Sequence, residues 1–230
     1  MADAGFSHFL AQADAVAQAV LAALLLMSVA TWTLILVKLR RNRMAFGERR
    51  DFLAAYRTCA APGVLARQLD QQGLAGACGR LARGGIAAWQ RWQRRAATAQ
   101  GAAESVEDLL DRALCRAVAA ERTRLEEGLA VLAAVGSTAP FVGLFGTVWG
   151  IYHALLAIGV SGQATLDKVA GPVGEALVMT AFGLAVAVPA ALAYNAFLRA
   201  GRVAMAELED FAHEFHAFLV TGVPSAAESA

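Results

Sequence analysis

The chain has 230 residues, 58% of them hydrophobic and 17% charged, with a mean hydropathy of +0.50 and a formal net charge of +1. That is too apolar for an ordinary soluble domain, and a net charge this small gives no overall field to hold nucleic acid. The three cysteines, Cys59, Cys78 and Cys115, show no CxxC spacing and are read as free thiols.

Residues 1–14 carry Asp3 and Asp14 and no basic residue. Residues 15–37 follow without a single Lys, Arg, Asp or Glu, and form the first predicted transmembrane helix. Its basic cluster comes after it: Lys38 to Arg50 holds six Lys or Arg and one Glu. That order is the reverse of a secretory signal, so the span is expected to stay as an anchor. Basic residues near span ends mark the cytoplasmic side. The N-terminus is therefore read as periplasmic and residues 38–127 as a cytoplasmic helical region, which holds 17 of the 20 basic residues.

Within that region, Val106, Leu109, Leu110, Ala113, Leu114, Ala117, Val118 and Leu125 recur at steps of three and four. Nothing in the pattern stops this helix, and one continuous helix is predicted from about Ser105 to Ile158. A monomer of this size has little to cover such a stripe, so lateral assembly is expected. Trp89, Trp92 and the arginines at 91, 94 and 95 fit a solvated face or anionic lipid at the inner leaflet better than nucleic acid.

Residues 128–158 form the second predicted span, 159–168 a periplasmic loop, 169–198 the third span, and 199–230 a cytoplasmic C-terminal helix and tail. Small residues crowd span two at Gly143, Gly146 and Gly150, where they let helix backbones approach closely. Pro140 and Pro189 each remove a backbone hydrogen bond within a span. Gly171-Pro172 fits either a helix start or a local break.

Between Lys168 and Arg199 lie 30 residues, of which Glu175 alone is charged. A lone carboxyl inside a span costs several kcal/mol, so it faces protein or water and marks an ion or proton path. Thr138, Thr147 and Thr180 are placed to accompany it, because a hydroxyl both donates and accepts. The plainer alternative for each threonine is a bond to its own helix. Glu175 and Thr180 stand about 140° apart on an ideal helix, so sharing a lumen requires a distorted helix or a wide cavity. His153 reads as interfacial, and His213 with His216 makes a poor metal site. HExxH, Walker A, GxGxxG and GxSxG patterns are missing, so neither enzyme chemistry, a cofactor nor a metal is expected.

Span two, Gly136-Ser-Thr-Ala-Pro140 and Phe141-Val-Gly-Leu-Phe-Gly-Thr-Val-Trp-Gly150, resembles the signature of the ExbB, TolQ and MotA family of ion-driven motor stators. Span three is similar at Glu175-Ala-Leu177 and Thr180-Ala-Phe-Gly-Leu184, followed by Pro189 and Tyr194-Asn195. The first span resembles the ExbB branch in Gln12-Ala-Asp14 and Ser28-Val-Ala-Thr-Trp32. One departure is Ala170-Gly171-Pro172, where the family usually has Ala-Pro-Gly. The resemblance implies an all-α integral membrane protein of the bacterial inner membrane, with three transmembrane helices and long cytoplasmic extensions. It implies a homopentamer around a central pore lined by spans two and three. The pore would hold single-span helices of an ExbD-type partner, and a TonB-type protein would carry the energy to outer-membrane transporters for iron chelates or vitamin B12. Thr147, Glu175 and Thr180 carry over as polar pore positions. A TolQ-type role in envelope maintenance and a non-conducting scaffold stay open. MotA-type stators have four spans, against the three read here.

Overall fold

The computed structural model describes residues 14–59, 61–72, 76–97, 105–161 and 166–222. Among them the regular structure is entirely α-helical: α1 Ala15–Arg57, α2 Pro62–Gln72, α3 Ala77–Ala97, α4 Val106–Glu126, α5 Leu129–Ser161 and α6 Leu166–Thr221. Three stretches are long and apolar enough to cross a membrane, in α1, α5 and α6. The expected N-terminal segment before Asp14, the centre of the 159–168 loop and the tail beyond Gly222 lie outside the described residues. Helix covers both shoulders of that loop, since α5 runs to Ser161 and α6 starts at Leu166.

The chain divides into two compact units, the first built from residues up to Val37 and from Gly128 to Phe197. Its buried core is Val20, Leu24, Val135, Ala139, Met179, Val186, Ala187 and Ala190. Small side chains dominate on α5 and α6, which brings their backbones close. Large apolar side chains such as Leu26, Phe141, Val148 and Leu192 point outward. No more than 33% of any span's most apolar window is buried by the chain itself, so most of that surface is left for lipid or other subunits.

The second unit comprises Lys38–Glu127 and the chain from Leu198 onward. Its core gathers Phe52 and Tyr56 of α1, Leu65 and Leu69 of α2, Leu81 and Ile86 of α3, Leu110 and Leu114 of α4, and Phe211, Phe215 and Phe218 of α6. Tyr56 sits at the centre, with its ring 5.5 Å from Phe211, 6.1 Å from Phe215 and 5.5 Å from Phe218. Ion pairs bind the helices at the rim. Arg49 joins Glu207, and Arg122 joins Glu209 at 2.9 Å. Arg80 grips Glu121 with both guanidinium edges, at 2.7 and 2.6 Å. Burial raises the thiol pKa of Cys59 and Cys78, and all three cysteines are free.

Two expectations are corrected here. The helix predicted to run from Ser105 to Ile158 is broken: α4 ends at Glu126 and α5 begins at Leu129. Gly128 adopts φ +76°, a left-handed conformation that terminates helices and suits glycine. The Glu127 N–H still donates to the Thr123 carbonyl, and the Leu125 carbonyl accepts from Lys38 Nζ at 2.8 Å. The apolar stripe of α4 was expected to need neighbouring subunits. Instead, Leu110, Ala113 and Leu114 are buried within the unit's own core, because α3 and the phenylalanines of α6 cover them.

Candidate functional site

The site lies in the first unit, where α5 crosses α6. A Cβ on Gly143 would fall 2.7 Å from the Met179 carbonyl oxygen, and one on Gly183 would fall 2.7 Å from that of Ala139. At Gly146 a Cβ would meet Val20 at 3.0 Å and Met179 at 3.1 Å, and at Gly150 it would meet the Ala176 side chain at 2.9 Å. Glycine at these four positions removes the side chains that would hold the helices apart. In lipid, where no hydrophobic force drives helices together, such packing is a main source of association.

The approach brings polar groups of the two helices within reach. Thr147 is buried, and its hydroxyl oxygen lies 3.1 Å from the Gly143 carbonyl oxygen and 3.2 Å from that of Ala176 on α6. It also contacts the Thr180 hydroxyl. One hydroxyl hydrogen serves one carbonyl at a time, so Thr147 donates to a carbonyl while accepting from Thr180. The result is a two-hydroxyl chain ending on backbone oxygen. Thr138 takes the plainer course, with its hydroxyl exposed and bonded to the Ala134 carbonyl at 2.7 Å.

Glu175 immediately precedes Ala176, whose side chain packs at Gly150 and whose carbonyl faces Thr147. Its side chain is half-buried, and it has no hydrogen bond or ion pair among the described residues. The structure thus brings Thr147 and Thr180 together, and Glu175 stands one residue along the chain from the carbonyl that Thr147 reaches.

Helix α6 passes continuously through Pro172 and Pro189, and α5 through Pro140. With α6 starting at Leu166, Pro172 falls in the second turn, so Gly171-Pro172 neither starts nor ends the helix. Each proline withholds the N–H that would bond the carbonyl four residues back, at Gly136, Lys168 and Ala185.

A second polar cluster was not foreseen. Trp149 Nε1 donates to Asp14 Oδ2 at 3.2 Å, and His153 Nε2 lies 3.6 Å from the same oxygen. The Trp149 and His153 rings are 4.7 Å apart. Asp14 also accepts from the Ala15 N–H at 2.7 Å, so one carboxylate caps α1 and holds α5. The signal was available in part: Trp149 and His153 are four apart on one helix face, but only the fold brings Asp14 to them. Among the described residues no group of three or more His, Cys, Asp or Glu could hold a metal ion.

The family model for the MotA/TolQ/ExbB proton channel family matches residues 87–210, more than half the chain, and includes both threonines, Glu175 and the glycine contact. The chain belongs to this family. It is 40% identical over 227 residues to the biopolymer transport protein ExbB of Xanthomonas campestris pv. campestris (strain B100), covering 95% of this chain and 89% of that protein. It is 37% identical over 210 residues to the ExbB of Neisseria meningitidis serogroup A, covering 90% and 93%. The Tol-Pal system protein TolQ of Haemophilus influenzae is 34% identical over 196 residues, 84% of each chain. The family is one of proton channels, not of enzymes.

Proposed function

We propose that this chain is the ExbB-type subunit of a motor in the bacterial inner membrane driven by the proton motive force. In this reading it forms a homopentamer whose lumen is lined by α5 and α6, with its N-terminus periplasmic and its C-terminus cytoplasmic. ExbD-type helices sit in the lumen, and a TonB-type protein carries the work to outer-membrane transporters of iron chelates or vitamin B12. The observation that carries the reading is Glu175: half-buried in a charge-free span, next to the carbonyl that receives Thr147, and unpaired among the described residues.

Five such carboxyls around one lumen would be close together and partly desolvated. One charge crossing 100 mV releases about 2.3 kcal/mol. Thr147, Thr180 and Glu175 form the polar lining, while Gly143, Gly146 and Gly150, with Pro140 and Pro189, set the close packing and the freed carbonyls of the pore wall.

The test is Glu175→Gln, which keeps shape and removes titration. Energised iron-chelate uptake is expected to be lost while the native mass of the assembly is kept. Uptake at the unmodified rate would turn the reading to a scaffold that positions partner helices and conducts nothing. Likeness to TolQ supports a second reading, envelope maintenance. Loss of the chain then sensitises cells to detergent and leaves uptake intact. The fuller coverage of the ExbB relatives, 95% and 90% of this chain against 84% for that TolQ, favours the first.

A further inference from the structure

Two helix faces of the second unit are left open by the described residues, and they match each other. On α1, Phe46, Arg50, Ala54 and Arg57 are exposed, and together with Arg49 and Leu53 they line a shallow groove. On α6, Val203, Ala206, Asp210, His213, Ala217 and Val220 are all exposed, at steps of three and four over nearly three heptads. That spacing is the period of a coiled-coil seam, here with Asp210 and His213 as its polar positions, and no helix among the described residues covers it. Phe46 and Val203 are large apolar side chains, 66% and 55% exposed.

Contacts inside the unit fix the relative height of the two helices. Arg49 pairs with Glu207, Phe52 meets Phe211 at 5.3 Å, and Tyr56 meets Phe215 at 6.1 Å, so level positions are offset by 158 or 159. Both helices run in the same direction there. By this offset Phe46 stands between the levels of Val203 and Ala206. Arg50 stands one or two residues, about half a turn at most, from the level of Asp210, and Ala54 is level with His213 at the larger offset. Arg50, Arg57 and Asp210 form no ion pair among the described residues. Arg43 is level with Arg202, and these like charges bound the match at its upper end.

The faces also point apart. On ideal helices the α1 face lies about 150° from Phe52 and the α6 face about 130° from Phe211, while Phe52 and Phe211 face each other. A unit with complementary faces on opposite flanks joins head to tail, and rotation about an axis parallel to the helices keeps levels unchanged. Such contacts close into a ring when the rotation is a whole fraction of a turn. We infer that the α1 face of one copy packs on the α6 face of the next, with Phe46 against Val203 and Ala206 and with Arg50 paired to Asp210. This rests on the reading of the chain as an assembled subunit, and it names the surface that assembles it.

The test uses the full chain in membranes, with exposed Cys115 replaced by Ser. Phe46→Cys with Val203→Cys is expected to give, on oxidation, a ladder of cross-linked species that neither single cysteine gives. Adding Arg50→Glu is expected to cut the yield several-fold, and adding Asp210→Arg to that chain is expected to restore it. No ladder, or only an intrachain bond, with the native mass still that of a multimer overturns this interface and leaves the assembly standing. A yield indifferent to Arg50→Glu overturns the charge pairing. A monomeric native mass for the unmodified chain overturns the assembly itself.

Discussion

Gly143 and Gly183 meet backbone to backbone: a Cβ on either would lie 3.0 Å from the other's Cα. This contact sets the distance at which Thr147 reaches the Ala176 carbonyl. A larger side chain at either glycine has only backbone to displace. Gly183→Val is therefore expected to destabilise the first unit by about 1–3 kcal/mol, the usual cost of overpacking. Thermal unfolding in detergent measures it, with Gly183→Ala falling between. An unchanged midpoint for the valine variant would show that the helices separate at no cost.

Much of this was legible in the sequence, for identifiable reasons. The spans show because 23 and 30 residues with at most one charge have no soluble use. Glu175 stands out because nothing around it is charged. Gly143 was read as a packing position, whereas Gly183 stood unmarked within Thr180-Ala-Phe-Gly-Leu184. A glycine's use depends on the opposite helix, which sequence periodicity does not reveal. The break at Gly128 was missed because the apolar pattern continues across it, and the left-handed glycine outweighs that pattern. The phenylalanines at 211, 215 and 218 recur at steps of four and three in the sequence, but that spacing does not show that Tyr56 and the α4 stripe cover them within one chain.

Thr147 offers a clean separation of shape from hydrogen bonding. Thr147→Val fills the same space and leaves the Ala176 carbonyl and the Thr180 hydroxyl without their partner. The expected loss is about 1 kcal/mol of stability, together with most of the energised uptake. Thr147→Ser restores the hydroxyl and is expected to keep uptake. Initial uptake rates, measured beside native mass to confirm assembly, decide between them. A valine variant that transports at the unmodified rate would remove the hydroxyl chain from the mechanism.

Tyr56 makes the second unit sensitive to alkali. Burial among the phenylalanines pushes its phenol above the ordinary value near 10, and the Glu214 carboxylate adds to the shift. Folding thus favours the neutral phenol. The stabilising contribution is complete below about pH 10, where the unfolded chain's phenol is also neutral, and is lost as pH rises from there toward the folded value. Helicity followed by circular dichroism is expected to fall above pH 10, and Tyr56→Phe is expected to move that fall upward. Coincident curves for the two proteins would assign the alkaline transition to another group.

Glu121 is the one buried charged side chain among the described residues of the second unit. Its side chain is 6% exposed, and it receives two hydrogen bonds from Arg80 of α3 and one, at 2.8 Å, from Arg124 of its own helix. The hydrogen bonds that Arg80 donates to Glu121 are the main reason its own pKa is raised further. Breaking a fully buried pair costs about 3–5 kcal/mol. Both arginines are half-exposed and can rehydrate, so Glu121→Gln is expected to cost less, about 1–3 kcal/mol. The two contacts differ in kind: only Arg80 reaches from another helix, and only it engages both carboxylate oxygens. Double-mutant cycles by denaturant unfolding are therefore expected to give a larger coupling for Glu121→Gln with Arg80→Gln than with Arg124→Gln. That coupling should also change little with added salt, because a buried carboxylate is poorly screened. Equal couplings, or one erased by salt, would make Glu121 an ordinary surface charge and leave apolar packing alone to join α3 to α4.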